Sequence, residues 1–589
     1  MKNFCSKISV LIFFTILSLI TAETIFAQSA VERATRETDL LGQDQDKMRK
    51  SLVGSPSEES KPKIEEKKLP APKEGEQKFL VKKIVLNGCK TFLPDSFDSI
   101  LKKYEDRELT ITDLSALGKE IEKEYLRRGV IAATFLPEQK STKNIITLEI
   151  IESKMGQLEI QDAPFFKKKR LSRYWKIPQG NILRYDLLSK SVQLMNKNPD
   201  REVKATLKPG KEPGTTDIVL TPKTNFPAHV FMSYDNDGAI STGRSRTGMG
   251  VRDNNFLGFD DVLMLGETFG RDFKGKYTYH NLPVGFNGTT FLYGFSYNES
   301  SPSKEFSVSS IHSKSYDTTF SVHQDLFRKE NYIGEAYLGF AARDKTITQN
   351  TGTYSKDCLR VFNIGSTFNF SGFGSSTSIS SELNQGINGL GSTSNNNPLA
   401  SRGAKVTYTK FNLNATHRKI LPANMQGNLK FKGQVSSTKL TPQEEFSIGG
   451  MDSVRGYPSG DYLADNAALL NADLLIPAFF IPNNWKLPYA QESFKQQTNL
   501  FAFFDYGWGM RRWPAVTDEK SVHDIGVGTG FNFSFYNQIS LQVGWGFAVG
   551  KRPLSEGGKS QFFMKVDFQE KLPQEIKRIK ELRQQNKKA

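Results

Sequence analysis

From about residue 227 the chain is written in period two, and that alternation limits its folding more than any other feature. Phe291, Tyr293, Phe295 and Tyr297 share one side of a run whose other side is Leu292, Gly294 and Ser296. Ile525, Val527, Thr529, Phe531, Phe533 and Phe535 oppose Gly526, Gly528, Gly530, Asn532 and Ser534. Leu541, Val543, Trp545, Phe547 and Val549 oppose Gln542, Gly544, Gly546 and Ala548. Successive side chains of a strand point to opposite faces, so each run makes a strand with one bulky apolar face and one polar or tiny face. A soluble sandwich with one buried face is the alternative. The aromatic rows, drawn from 43 Phe and 19 Tyr, and the small residues facing them, drawn from 47 Gly, fit a transmembrane antiparallel β-barrel, apolar outward and polar inward. At ~10 residues per strand with alternately short and long connections, residues 227–568 hold roughly 16 strands, with fourteen or eighteen also compatible.

The N-terminus is consistent with export. Lys2 and Lys7 precede an apolar run from Ile8 to Ile20, small residues follow at Thr21, Ala22 and Ala27, and polar Gln28 comes next. Residues 1–27 read as a secretory signal peptide, too short in its apolar run to span as a helix. Cys5 lies before the apolar run and so is not placed for lipoprotein acylation. A mean hydropathy of -0.46 is no obstacle to membrane residence, because barrel strands carry apolar residues on one face only. Cys89 and Cys358 fall in different segments, which argues against a structural disulfide, and the six His show no metal-ligand spacing. Neither a metal nor a cofactor is expected. The formal charge of +16 suits a lumen or anionic lipid better than nucleic acid, which is not expected as a partner.

Three segments precede the alternating region. Residues 28–53 are polar, without Pro and with one internal Gly at 42, and predict a helix of about 25 residues. With so few apolar side chains it either frays or sits in a polar cavity. Residues 54–78 are a Pro/Lys/Glu linker. Residues 79–155 then read as β-α-α-β-β: a strand at 80–86, a helix near 96–104, a helix capped by Thr110 or Thr112 and ending before Gly129, and strands at 130–135 and 145–151. Residues 156–226 repeat that order, with strands at 157–161, 203–208 and 216–221 and helices near 166–175 and 185–198.

Three passages go beyond a generic barrel. Thr134-Phe-Leu-Pro-Glu-Gln139 lies at a hairpin of the first α/β module. Tyr234-Asp-Asn-Asp-Gly238, with Asn255-Phe-Leu-Gly258 and Asp260-Asp261, lies where the barrel begins. Ile448-Gly-Gly-Met-Asp-Ser-Val-Arg-Gly-Tyr-Pro-Ser-Gly460 is followed some forty residues on by Leu500-Phe-Ala-Phe-Phe-Asp-Tyr-Gly507. On these residues the chain resembles the two-partner secretion transporters (TpsB type, haemolysin secretion or activation proteins), within the superfamily of POTRA-plus-barrel proteins that includes the BamA-like insertases. The tetrad Val454, Arg455, Gly456, Tyr457 is the most specific element. The resemblance runs from Phe79 to Phe568 and implies a 16-stranded barrel in a Gram-negative outer membrane. It also implies a lumenal N-terminal helix, matched by residues 28–53 in position and length, and two periplasmic POTRA domains (79–155 and 156–226) that receive an unfolded exoprotein (TpsA-like).

Arg455 stands among Gly449, Gly450, Gly456 and Gly460, residues that let a backbone turn back on itself, although Gly-flanked Arg also occurs in ordinary solvated turns. By alternation Phe501, Phe503, Asp505 and Gly507 face the lumen, and a carboxylate there calls for a cation. The resemblance implies that Arg455 reaches Asp505. A guanidinium can fork onto a carboxylate through two bonds, for on the order of 1 to 3 kcal/mol in a partly hydrated lumen, enough to bias a loop and too little to lock it. Pro137 and Gln139 match the family's hairpin signature and are candidate substrate-recognition residues, with a purely turn-shaping role open as well. POTRA strand edges can accept an extended chain by strand addition.

Phe562, Met564, Val566 and Phe568 alternate outward as a barrel-targeting terminal strand should, addressed to the barrel assembly machinery, with outer-membrane lipid as the other expected partner. Two features depart from the family. A basic tail, 569–589, follows the closing strand, with Leu572, Ile576, Ile579 and Leu582 at near-helical spacing. Asp473 stands where relatives usually carry Glu, which weakens transfer of that residue's role. Secretion of a partner protein is the expected function; outer-membrane protein insertion and a solute channel are the alternatives. No nucleophile, base and orienter recur in a pattern that points to an enzyme.

Overall fold

The computed structural model describes residues 31–32, 34–53, 78–138, 144–303, 310–329, 331–350, 352–486, 493–515, 518–535, 538–550, 553–554 and 558–569. The signal peptide 1–27, the linker apart from Lys78, Gln139 and the tail beyond Gln569 lie outside the described residues. Two compact units emerge, one of residues 1–54 with 227–589 and one of residues 55–226.

In the larger unit sixteen antiparallel strands close into a barrel, from Ala228–Asp235 to Ser560–Gln569. Each strand pairs with its neighbours in chain order. One interruption stands between Gln426–Ser436 and Asn466–Pro477: a short hairpin, Phe446–Ile448 with Tyr462–Ala464, that belongs to no barrel ladder. The alternation read from the sequence is the inside-outside partition, with Phe295, Phe504 and Trp545 exposed outside and Asn298, Phe503 and Gly544 buried inside. The last strand meets the first over a short register, from Lys565↔Asp235 to Gln569↔Phe231. Above it the Asn236 side chain continues the seam, its amide donating to Phe562 O at 2.9 Å and its carbonyl accepting from Met564 N–H at 2.8 Å.

The helix Arg36–Ser51, preceded by helical residues at 31, 32 and 34, lies inside the barrel. Glu37 and Asp39 in its first turn and Arg49 and Lys50 in its last suit the helix dipole. It is anchored by polar contacts. Lys345 Nζ meets Asp39 at 2.5 Å, Arg246 meets Asp44 at 2.9 Å and Lys50 meets Glu382 at 3.0 Å. Gln45 and Asn298 exchange amide bonds of 2.7 and 3.0 Å. The polar cavity that so apolar-poor a helix requires is therefore the lumen.

In the smaller unit the first module carries a three-stranded sheet with Ile145–Glu152 central, parallel to Lys83–Asn87 and antiparallel to Ala132–Phe135. Helix Ile111–Arg127 opens on Thr110, whose capping box with Asp113 decides between the two threonines. The expected strand 80–86 is split. Phe79–Val81 pairs with Arg107–Leu109 in a separate ladder, and only Lys83–Asn87 joins the sheet, because Lys82 and Lys83 N–H turn to Asn144 O. Buried Glu152 gathers Lys90 N–H at 2.8 Å, Thr91 N–H at 2.7 Å and the Thr91 hydroxyl at 2.6 Å, fastening the segment after the first strand to the last. The second module repeats the plan, with Thr215–Thr224 central between Lys154–Ile160 and Arg201–Pro209 and helices Lys168–Ser172 and Tyr185–Met195.

Candidate functional site: a glycine-seated loop in the lumen

The short hairpin carries residues 449–461 as a loop folded into the barrel. Gly449, Gly450, Gly456 and Gly460 all adopt positive φ, between 62° and 104°, which other residues rarely take. Two contacts enforce glycine further: a Cβ on Gly449 would stand 2.2 Å from Pro458 O, and one on Gly456 would stand 2.7 Å from the Phe547 backbone. Val454 and Tyr457 are buried with Ile448, Tyr462, Leu469 and Ala548 in an apolar cluster that roots the loop on the wall.

Arg455 extends from this seat to strand Thr498–Met510. Its Nε and Nη2 donate to the two oxygens of Asp505 at 2.7 and 2.6 Å, and its backbone N–H donates to the same carboxylate at 2.9 Å. Asn471 Nδ2 adds a fourth bond to Asp505, 2.7 Å, and holds Ser453 O at 2.6 Å. Arg455 Nη2 also meets Asp473 at 2.6 Å, and the guanidinium carbon lies 3.8 Å from the centroid of the Phe503 ring. Asp505 is 0% exposed. The pair is more buried than a partly hydrated lumen implies, and its carboxylate is saturated by four donors. Removing one member of such a buried pair strands a charge at a cost of about 3–5 kcal/mol, above the range expected for a hydrated pair.

Asn471, which no sequence motif marks, is an anchor here, and Asp473, marked in the sequence only as a departure from the family's Glu, is a second. They alternate on the lumen face of Asn466–Pro477 and register against Asp505 and Phe503. In the sequence the glycine faces are merely small. They are a seat: a Cβ on Gly526 would stand 2.0 Å from Arg455 O, and one on Gly546 would stand 2.7 Å from Gly456 N. Further down the same wall, the rings of Phe503, Phe501 and Phe563 lie against Gly528, Gly530 and Gly544.

The loop also touches the lumenal helix. Lys47 bonds Asp452 at 2.9 Å, Gln43 donates to Glu445 O at 3.2 Å, and Arg36 lies against Gly460. Arg511 reaches Glu445 at 3.3 Å and Glu32 at 3.8 Å. A cavity of about 440 Å³ follows the helix, lined among others by Lys47, Lys50, Glu382, Asn412, Asn414 and Lys432.

The remaining sequence candidates sit apart from this cluster. Pro137 is half-buried in the connection after Ala132–Phe135. Phe562, Met564, Val566 and Phe568 line the outer face of the closing strand, opposite Phe563, Lys565 and Asp567. Cys89 and Cys358 are free thiols in different units, and no His/Cys/Asp/Glu group suited to a metal occurs among the described residues. One grouping went unseen in the sequence: His323 lies between Ser321 Oγ at 2.9 Å and Glu335 at 3.0 Å. Its strand is laddered on both sides at these residues, so the nearby N–H groups are committed to sheet pairing and not gathered to stabilise an oxyanion.

A closed sixteen-stranded barrel with an internal helix, an in-folded loop and two α/β modules defines a POTRA-barrel protein of the outer membrane. The haemolysin secretion/activation protein family ShlB/FhaC/HecB matches residues 214–533, and the ShlB-type POTRA domain matches residues 79–153. The chain belongs to that haemolysin secretion/activation family. It is similar to the heme/hemopexin transporter protein HuxB of Haemophilus influenzae (strain 86-028NP), 22% identical over 461 residues, 76% of this chain and 80% of the relative. Its fold is similar to that of CdiB from Escherichia coli, with a TM-score of 0.67 at 18% identity, covering 92% of this chain and 99% of that one. BamA from Haemophilus ducreyi lacking POTRA domains 1–3 is a more distant neighbour, with a TM-score of 0.54 at 15% identity, covering 84% of this chain and 100% of that one. The protein is an outer-membrane transporter of two-partner secretion, its POTRA domains in the periplasm and its cargo a secreted exoprotein.

Proposed function

We propose that the loop around Arg455 is held in a transport-competent position by Asp505, and that the exoprotein is passed unfolded from the POTRA strand edges into the barrel. The nested carboxylate carries this reading: four donors and a stacked ring converge on one lumenal contact, a degree of fixation that a solvated turn has no use for. The lumenal helix occupies the route and has to yield when cargo enters. Its anchors are polar pairs that can re-form elsewhere, but the Lys345–Asp39 pair is as buried as Arg455–Asp505, so entering cargo has to supply the free energy of releasing it.

Extended cargo suits the edge strands Lys83–Asn87 and Ala132–Phe135 beyond Ile84 and Thr134, whose N–H groups Glu105 and Glu122 hold, since strand addition uses backbone bonds and tolerates any sequence. Pro137 and Gln139 would shape that acceptor edge. The chain has no GxxxxGK[ST] phosphate loop, so folding of the cargo outside the cell is the assigned driving force. Phe562, Met564, Val566 and Phe568 would be read by the barrel assembly machinery during biogenesis, and the outward rows by lipid.

The test is deletion of the gene followed by comparison of the secreted and outer-membrane proteomes. Loss of one large exoprotein, restored by the wild-type chain and not by Arg455→Ala, is expected. A general fall in outer-membrane proteins would favour the insertase reading that the BamA-like fold raises, and an unchanged secretome would overturn secretion of a dedicated partner.

A further inference from the structure

The motif Asn255-Phe-Leu-Gly-Phe-Asp-Asp261 takes no part in the lumenal site. It forms the second connection of the barrel, between strands Arg246–Asp253 and Val262–Phe269, and the first on the side where the chain enters the barrel at Pro227. We propose that this turn is a lipid anchor, inserting Phe256 and Leu257 into the headgroup-acyl boundary of the periplasmic leaflet beside the barrel seam.

The apolar side chains of the turn face outward: Phe256, Leu257 and Phe259 are 52%, 48% and 51% exposed. Their position follows from what Phe256 touches. Its ring meets His280 edge-on, with centroids 6.1 Å apart. His280 belongs to the outer face of the barrel, since Tyr277 and Tyr279 of the same strand turn inward to pack with Leu52 after the lumenal helix. It registers with Tyr293, a member of the lipid-facing row Phe291, Tyr293, Phe295. The turn thus adjoins a surface that membrane residence already assigns to lipid, with Asp253, at the same parity as outward Met249 and Val251, turned back onto Asn255 N–H at 2.8 Å.

Irregular backbone is tolerated at that depth only when its polar groups are satisfied, and the turn holds its N–H groups at 255, 257, 258, 259 and 260 within itself. Fully buried Asp261 accepts Leu257 N–H at 3.0 Å and Phe259 N–H at 3.2 Å. The same carboxylate bonds His280 Nε2 at 2.8 Å, and His280 Nδ1 bonds the Tyr293 hydroxyl at 2.9 Å. Asn255 Oδ1 accepts Asp260 N–H at 2.9 Å, and Asn254 N–H reaches Pro227 O at 2.9 Å. Gly258 and Asp260, at φ 78° and 61°, make the two reversals that bring the apolar residues outward. Aromatic and aliphatic side chains on a satisfied turn suit the interface between acyl chains and headgroups. The inference stands on the outer-membrane barrel and does not depend on how the Arg455 loop works.

The test is nitroxide labelling of the full chain in phosphatidylethanolamine/phosphatidylglycerol vesicles, with Cys89 and Cys358 replaced by Ser and single cysteines placed at 256, 257, 293 and 423. Position 293 reports the lipid belt, and position 423 reports an exposed turn elsewhere on the periplasmic side. Collision with oxygen exceeding collision with a water-soluble nickel chelate at 256 and 257, as at 293, is expected. Nickel collision as frequent as at 423 would overturn the anchor. Protection from both reagents would overturn it too, by showing that protein covers the turn. Should the label at one of the two positions prevent barrel closure, read as loss of heat-modifiable gel mobility, the other position decides alone.

Discussion

Arg455 and Asp505 are joined three times over: through Nε at 2.7 Å, through Nη2 at 2.6 Å and through the arginine's own backbone N–H at 2.9 Å. The backbone bond ties the carboxylate to the path of the loop as well as to its charge. Asp505→Asn keeps the shape, leaves Arg455 paired with Asp473 alone, and should loosen the loop by less than the about 3–5 kcal/mol that an uncompensated buried charge costs. Arg455→Lys keeps the charge but loses the fork, and should retain part of the secretion that Arg455→Ala abolishes. Limited proteolysis between residues 449 and 460, alongside exoprotein release, measures both. A simple charge exchange should rescue poorly, because a glutamate at 455 would face Asp473.

The glycine wall gives a second test. At Gly526 a methyl group would stand 2.0 Å from the carbonyl of Arg455, and neither backbone can yield cheaply. Gly526→Ala should displace the loop and depress secretion while the barrel still forms. Gly389→Ala, where a methyl group meets nothing within 4 Å, should leave secretion unchanged. Equal secretion by the two variants would remove the seat from the mechanism.

At the seam, Asn236 supplies by side chain what the short ladder lacks, bonding Phe562 O and Met564 N–H. Asn236→Ala deletes both bonds, at about 0.5–1.5 kcal/mol each. The folded barrel should convert to the heat-denatured gel form at a lower temperature than wild type, with Asn236→Asp intermediate because it keeps only the acceptor. Unchanged heat-modifiability would mean the ladder alone closes the barrel.

Acid should weaken the first POTRA domain through Glu124. Hydrogen bonds from Arg127, opposed by a little burial and reinforced by Arg128, bring its carboxyl down to about 2. A folded-state value below the unfolded one adds stability that is complete above the unfolded value, near 4.5, and is lost as pH falls toward about 2. Glu124→Gln should lower the POTRA unfolding temperature at pH 7, and the gap to wild type should shrink between pH 4.5 and 2. A gap that persisted at the acid end would assign the effect to hydrogen-bond shape and not to charge. Glu152 adds in the same direction: burial opposes its ionisation, but the bonds from Thr91 and Lys90 outweigh it and hold the carboxyl below its usual range.

Much of this protein is legible in one dimension. Period-two alternation specifies the barrel and its two faces, because the strand repeat is two residues whatever the neighbours are. Parity put Phe503 and Asp505 inside for the same reason, and the Thr110–Asp113 spacing marks a helix start because a capping box is local. Pairing across fifty residues is another matter. That Asn471 and Asp473 stand beside Asp505 and Phe503 depends on the register between two strands, which connection lengths set and composition does not. That Gly526 and Gly546 are a seat and not idle space depends on a loop returning from residue 455 to lie on them. How deeply the Arg455 contact is buried was likewise decided only by the tertiary structure, since desolvation belongs to everything packed around a charge and not to the charge itself.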